Sequence, residues 1–310
     1  MIKNRKILVT GGAGFVGSNL CKNLALENEV ICVDNLITGN IANIKETNLE
    51  FIKHDITRPF RDKVKKTDII FNLASPASPV DYVNFPSETL LTNSIGMHNV
   101  LEAARSWGSR VLQASSSEVY GDPLVHPQKE DYWGHVNPVG PRSCYDEGKR
   151  FAEALCMSYF RKLKSDVVIA RIFNTYGENM RVDDGRVIPN FISQALKNKP
   201  ITVYGDGKQT RSFCYVSDMV NGLCTLIDSN ISGEIFNVGN PDEYRIIDVA
   251  EKIRELCNSS SKITFKDLPK DDPSKRRPDI GKIKKLGWRP MVVFNKGIKR
   301  TLEYFKRVIK

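Results

Sequence analysis

Histidine is scarce, with four in 310 residues, so a metal centre built on imidazole ligands is not expected, and no metal is. The seven cysteines (Cys21, Cys32, Cys144, Cys156, Cys214, Cys224, Cys257) form no Cys-x-x-Cys pair and no metal-ligand spacing. Most sit in apolar patterns and read as small core residues. No apolar run approaches the roughly 20 residues that a bilayer-crossing helix needs. A strand pattern starts within the first few residues, which leaves no room for a secretory leader, so a cytoplasmic address is expected. Internal repeats, low-complexity stretches and basic segments interleaved with aromatics are also missing. Neither nucleic acid nor membrane is therefore expected as a partner.

What remains has ordinary globular composition, enough for one large α/β domain or two unequal lobes. Lys and Arg number 46 against 36 Asp and Glu, a net charge of +10. The runs at 63–66 and 282–285 read as solvated faces within a scattered distribution. An excess of this sign suits a small polyanionic ligand drawn into a cleft.

The front of the chain is its most patterned part. Lys6–Thr10 is a short apolar run suited to a buried parallel strand. Gly11, Gly14 and Gly17 follow at once, and a helix pattern runs from Ser18 to Leu26. Glycines at these spacings allow a tight turn, close approach to a pyrophosphate and close helix–strand packing. A second strand, Glu29–Asp34, ends in an acid 20 residues after Gly14. A carboxylate there accepts from ribose hydroxyls and repels a 2′-phosphate, which favours NAD over NADP.

Further strand patterns lie at 49–53, 68–73, 110–115 and 166–173, with helix patterns at 87–107 and 143–164. Alternation of this kind predicts a Rossmann-type, doubly wound parallel sheet with ligands at the strands' carboxyl ends. Residues 1–175, with 210–245 returning to them, are expected to form the dinucleotide-binding domain; 176–209 and 246–310 are expected to form a smaller substrate lobe.

Tyr145 and Lys149 stand four apart, one turn from each other on a helix. An ammonium there is expected to pull the phenol down towards neutrality, making Tyr145 a base for a sugar hydroxyl. Ser115, Ser116 and Ser117 follow the strand at 110–115, and a hydroxyl there can bond a substrate oxygen whose charge changes.

Together GGAGFVG (11–17), SSSEVYG (115–121), YDEGK (145–149) and RIFNTYG (171–177) resemble the extended short-chain dehydrogenase/reductases that act on nucleotide sugars. GPRSCYDEGKR (140–150), YWGHVNP (132–138) and RRPDI (276–280) narrow the resemblance to the branch that decarboxylates UDP-glucuronate. It implies NAD as cofactor, held by Gly11, Gly14, Phe15, Val16, Gly17, Asp34, Asn35, Thr38, Gly39, Asp55, Ile56, Leu73, Ala74, Ser75, Thr92, Ser115, Tyr145, Lys149 and Thr175. It implies UDP-glucuronate as substrate, held by Pro76, Glu118, Tyr145, Asn174, Arg186, Val187, Ile188, Tyr204, Arg211 and Arg276. The catalytic set it implies is Tyr145, Lys149, Ser116, Glu118 and Arg276, with UDP-xylose as product and a homodimer as the assembly. Glu118 would handle a proton or water near C5, the alternatives being that it caps a helix or pairs with Arg142. Arg276 would hold or protonate near the C6 carboxylate.

Related chemistries stay open at this point. A 4-epimerase shares the fold, and a 4,6-dehydratase carries an Asp where Ser117 stands, to protonate a departing hydroxyl. A non-catalytic NAD sensor would need none of the Ser, Tyr, Lys and Glu set. The chain also departs from its apparent relatives: Asp81 replaces a common His, and Glu178-Asn179 replaces the usual Pro-Arg.

Overall fold

The computed structural model describes residues 2–268, 273 and 275–309. Seven parallel strands make the central sheet: β1 (Lys6–Thr10), β2 (Glu29–Asp34), β3 (Glu50–Lys53), β4 (Ile69–Asn72), β5 (Arg110–Ser116), β6 (Val167–Ile172) and a seventh, Glu234–Val238. The seventh pairs with β6, and the order across the sheet then runs β5, β4, β1, β2, β3. The order reverses between β1 and β4, which opens a crevice at their carboxyl ends. Central strands are apolar on both faces because helices cover both, which is why they read as continuous runs.

The helices are α1 (Phe15–Leu24), α2 (Pro79–Asn84), α3 (Pro86–Leu91), α4 (Met97–Trp107), α5 (Ser143–Leu163), α6 (Val187–Leu196), α7 (Val216–Asp228), α8 (Ile246–Leu256), α9 (Gly281–Lys284) and α10 (Phe294–Val308). The helix expected over 87–107 is interrupted. A π-helical turn, Thr92–Gly96, separates α3 from α4. Such turns often mark functional positions. Here it places Asn93 to donate to the Ser75 hydroxyl at 2.9 Å, while Thr92 reaches the crevice.

Small sheets serve the second half. Thr210–Ser212 pairs with Glu243–Arg245 on one side and with Lys275–Arg276 on the other. Ile201–Tyr204 pairs with Ile263–Lys266. The register Arg276 to Arg211 brings two arginines from distant sequence to one place.

The expectation of scattered basic charge is corrected. Residues 281–310 hold ten Lys and Arg against the single acid Glu303, so nearly all of the net +10 belongs to the α9–α10 region. The apolar face of α10, with Phe294, Ile298, Leu302 and Phe305, is buried in the core, which turns its cations outwards.

Candidate active site

One cleft of about 820 Å³ lies at the carboxyl ends of the parallel strands. Every residue expected above to touch cofactor or substrate lines it except Gly39. Gly39 instead packs on Asp34, whose Oδ1 would lie 2.8 Å from an added Cβ.

The glycine turn has its expected shape. Gly11 has φ +71°, the left-handed region that favours glycine. A Cβ on Gly17 would stand 2.1 Å from the Gly11 carbonyl oxygen, so α1 packs against the turn only without a side chain there. Gly14 caps α1 and offers no side-chain bond, which leaves the first-turn amides and the positive helix end for an anion. Asp34 accepts from the amides of Ala13 at 3.0 Å and Leu36 at 2.8 Å. Burial pushes its carboxyl above the ordinary value despite those two amides. A diphosphate-sized anion site and a carboxylate at the end of β2 are the donor and acceptor set of a dinucleotide, so the residues present fit NAD.

Tyr145 is buried, and Tyr82 from α2 stacks on it with ring centroids 5.2 Å apart and planes 13° apart. Lys149 Nζ donates to the Ala114 carbonyl at 2.9 Å and sits 5.7 Å from the centre of the Tyr145 ring. The expected lowering of the phenol does not hold. Burial pushes Tyr145 up to about 12, against a hydrogen bond with Ser116 that pulls the other way. Burial also pushes Lys149 down to about 7. The cause is geometric: the ammonium is spent on a backbone carbonyl, and both groups have lost water.

Glu118 sits on the 3₁₀ turn Ser117–Tyr120. Its Oε1 accepts from Arg276 and its Oε2 from Arg142. Arg276 also donates to the Gly121 carbonyl at 2.7 Å and to the Ser117 hydroxyl at 3.3 Å. Burial raises the Glu118 carboxyl, but the Arg276 and Arg142 guanidiniums hold it at about 2. The alternative pairing with Arg142 is present, and Arg276 is its second partner. A carboxylate held so low accepts hydrogen bonds and gives up no proton near neutral pH. Ser117, at the position of a dehydratase acid, is covered by Arg276.

Tyr82 and Asp184 were not foreseen, and Arg142 was foreseen only as a partner for Glu118. Tyr82 lies in a short helix with no periodic signal, although its α2 is marked by Ser78 as N-cap and Pro79 behind it. Arg142 precedes Tyr145 by one helical turn, a spacing that offers a clue. Asp184 bonds Arg186 through Oδ2 and Nη2 at 2.7 Å and so aims that arginine, which lies over Phe15.

A family model described as the NAD dependent epimerase/dehydratase family matches residues 7–239. The chain belongs to that family.

Within it, the chain is 52% identical to UDP-glucuronic acid decarboxylase 1 of Danio rerio over 99% of its own length and 74% of that protein's. It is 50% identical to UDP-glucuronic acid decarboxylase 3 of Arabidopsis thaliana, over 98% of this chain and 90% of that one. Among solved structures it is similar to a UDP-N-acetylglucosamine 4-epimerase from Methanobrevibacter ruminantium in complex with UDP-N-acetylmuramic acid, with TM-score 0.92 and 28% identity over 99% and 100% of the two chains. A UDP-glucuronic acid 4-epimerase mutant from Bacillus cereus, solved with NAD and a fluorinated UDP-glucuronic acid, gives TM-score 0.88 and 28% identity over 98% and 99%.

The departures noted above have partners in this family member. Asp81 bonds Arg181 at 2.8 Å, across the mouth of the cleft between α2 and the loop before α6. Glu178 accepts the Tyr215 hydroxyl at 2.5 Å, and Asn179 donates to the Ser18 hydroxyl on α1 at 2.9 Å. The loop that loses an arginine is thus stitched down by other bonds.

Proposed function

We propose that the protein is a UDP-glucuronate decarboxylase (a carboxy-lyase) that uses NAD and forms UDP-xylose through a UDP-4-keto sugar. The observation that carries this reading is half identity, over nearly the whole chain, to proteins named UDP-glucuronic acid decarboxylase. Ser117 adds chemical support, because a hydroxyl under Arg276 is no acid for expelling a 6-hydroxyl.

NAD, when bound, accepts hydride from C4 of the sugar and later returns it, so the cofactor ends as it began. Gly11, Gly14 and Gly17 with the first turn of α1 would hold its diphosphate, Asp34 a ribose, and Lys149 the other ribose. Tyr145, aligned by Tyr82 and bonded to Ser116, takes the proton of the 4-hydroxyl only as its phenolate, which burial disfavours and a cationic nicotinamide would favour, and it gives the proton back to O4 when the hydride returns. The C4 ketone makes the sugar a β-keto acid, and CO2 leaves as its electrons move towards O4. Ser116 and Tyr145 donate to that oxygen as it gains charge. Arg142 and Arg276 spend their charge on Glu118, so the C6 carboxylate meets no bare guanidinium. A tight clamp there would stabilise the ground state and slow the loss of CO2. Glu118 stays ionised and orders a water that protonates C5, and the hydroxide left combines with the released CO2 as bicarbonate. Asn174, Tyr204, Arg211 and Arg186 hold the uridine diphosphate.

The division into a dinucleotide domain and a smaller lobe, as set out from the sequence, belongs to the same proposal. So does a homodimer through α3 to α5, supported by the exposed apolar side chains of Leu90, Ile95 and Phe151 there. Seven free cysteines fit a reducing, cytoplasmic compartment.

The test is incubation of the purified protein and NAD with UDP-glucuronate carrying 13C at C6. Labelled CO2 and bicarbonate are expected; label retained in a sugar nucleotide would overturn the reading.

A further inference from the structure

Glu153 is buried one turn beyond Lys149 on α5 and has no part in the steps above. Its carboxylate is fully engaged. Oε1 accepts the Ser115 hydroxyl at 2.6 Å and Arg171 Nε at 2.9 Å, and Oε2 accepts Arg171 Nη2 at 2.7 Å. Arg171 Nη1 donates to the Tyr120 hydroxyl at 2.9 Å and to the Glu130 carbonyl at 3.0 Å. The Tyr120 hydroxyl donates to Asn237 at 2.8 Å. This network joins α5, β5, β6 and the edge strand Glu234–Val238. It grips both ends of the turn 115–120, whose middle carries Ser116 and Glu118.

Lys149 is a cation in a dry place. Among the described residues its hydrogen-bond partner is a neutral carbonyl. Around it are Tyr145 and Glu153, one turn before and one turn after it on α5, and the Ala114 carbonyl on β5, while Ser115 on β5 and Arg171 on β6 bond the Glu153 carboxylate. Among the described residues Glu153, one helical turn from Lys149, is the acid whose charge favours the ammonium against burial.

We propose that Glu153 is a positioning residue: locked by Ser115 and Arg171, its carboxylate stands one helical turn from Lys149 as the counter-charge to that lysine and fixes the turn 115–120 against α5. This deepens the proposed function only in what sustains Lys149. The measurement below gives the same answer whichever sugar the protein turns over.

The full chain is labelled with 13C at lysine Cε, the Lys149 signal is assigned with Lys149→Arg, and its titration is followed by NMR with and without NAD. Glu153→Gln keeps shape and removes charge. It should lower the Lys149 midpoint by about one pH unit or more, a tenfold change in proton affinity per unit. Loss of NAD affinity with rising pH should begin that much earlier. Arg171→Gln breaks the same network but leaves the carboxylate, so its midpoint should stay or rise while its Tm falls. Should Glu153→Gln not fold, the double variant Glu153→Gln/Arg171→Gln removes the buried pair as a unit, and its midpoint should still fall. An unmoved midpoint in the folded variants lacking Glu153, or a fall of the same size in Arg171→Gln, overturns the proposal.

Discussion

Tyr82 and Tyr145 lie face to face, 13° from parallel, although 62 residues separate them and they come from different helices. The Tyr82 hydroxyl is buried without a hydrogen-bond partner among the described residues. The ring, not the hydroxyl, is therefore what holds Tyr145. Tyr82→Phe should be neutral or mildly stabilising, because an unpaired buried hydroxyl is removed. Tyr82→Ala should cost about 3–5 kcal/mol of stability by leaving a cavity, and should lower kcat by letting the Tyr145 ring turn. Thermal unfolding and steady-state kinetics on the two variants check this.

Tyr145→Phe keeps the stack and removes only the hydroxyl. Turnover should fall by about 10²–10⁴-fold, the usual worth of a positioned acid–base group. NAD binding, measured by calorimetry, should change little, because Lys149 keeps its place on the Ala114 carbonyl.

Glu118 has a pH signature. Its carboxyl is held at about 2, below the ordinary value of 4.5. Between those limits the unfolded chain binds the extra proton, so stability rises with pH there. The contribution is complete above about 4.5 and is lost as pH falls through the folded value near 2. Glu118→Gln should flatten that limb of an acid unfolding curve while lowering Tm at pH 7, because buried Arg276 and half-buried Arg142 lose the anion they share.

The Asp81–Arg181 pair closes over the cleft mouth between segments from the two halves of the chain. Arg181 is partly exposed, so the pair should contribute about 0.2–1 kcal/mol. Asp81→Asn and Arg181→Gln should each speed NAD release a few-fold, and the double variant should do little more than either. Stopped-flow displacement of NADH measures the four rates.

Much of this was legible in the sequence, and for identifiable reasons. The buried parallel strands are continuous apolar runs, so 6–10, 29–34 and 110–115 read correctly to within a residue or so. The glycine spacing and the acid at Asp34 are local features, and local features survive in one dimension. What was hidden depends on distance or on solvent. Glu118 and Arg276 meet across 158 positions through a short strand pairing that no periodicity announces. The break in the helix at Thr92–Gly96 follows no Pro or Gly signal at its start. The direction of the Tyr145 shift was misjudged because helical spacing says nothing about burial, and burial outweighs the neighbouring charge.

The loss of the carboxylate is tested most directly by 1H NMR of the product formed from UDP-glucuronate and NAD in D2O. UDP-xylose carrying one deuterium at C5 is the expected outcome, since the departing carboxylate is replaced by a proton from water. A six-carbon uronic acid epimerised at C4, with its carboxylate intact, would contradict it.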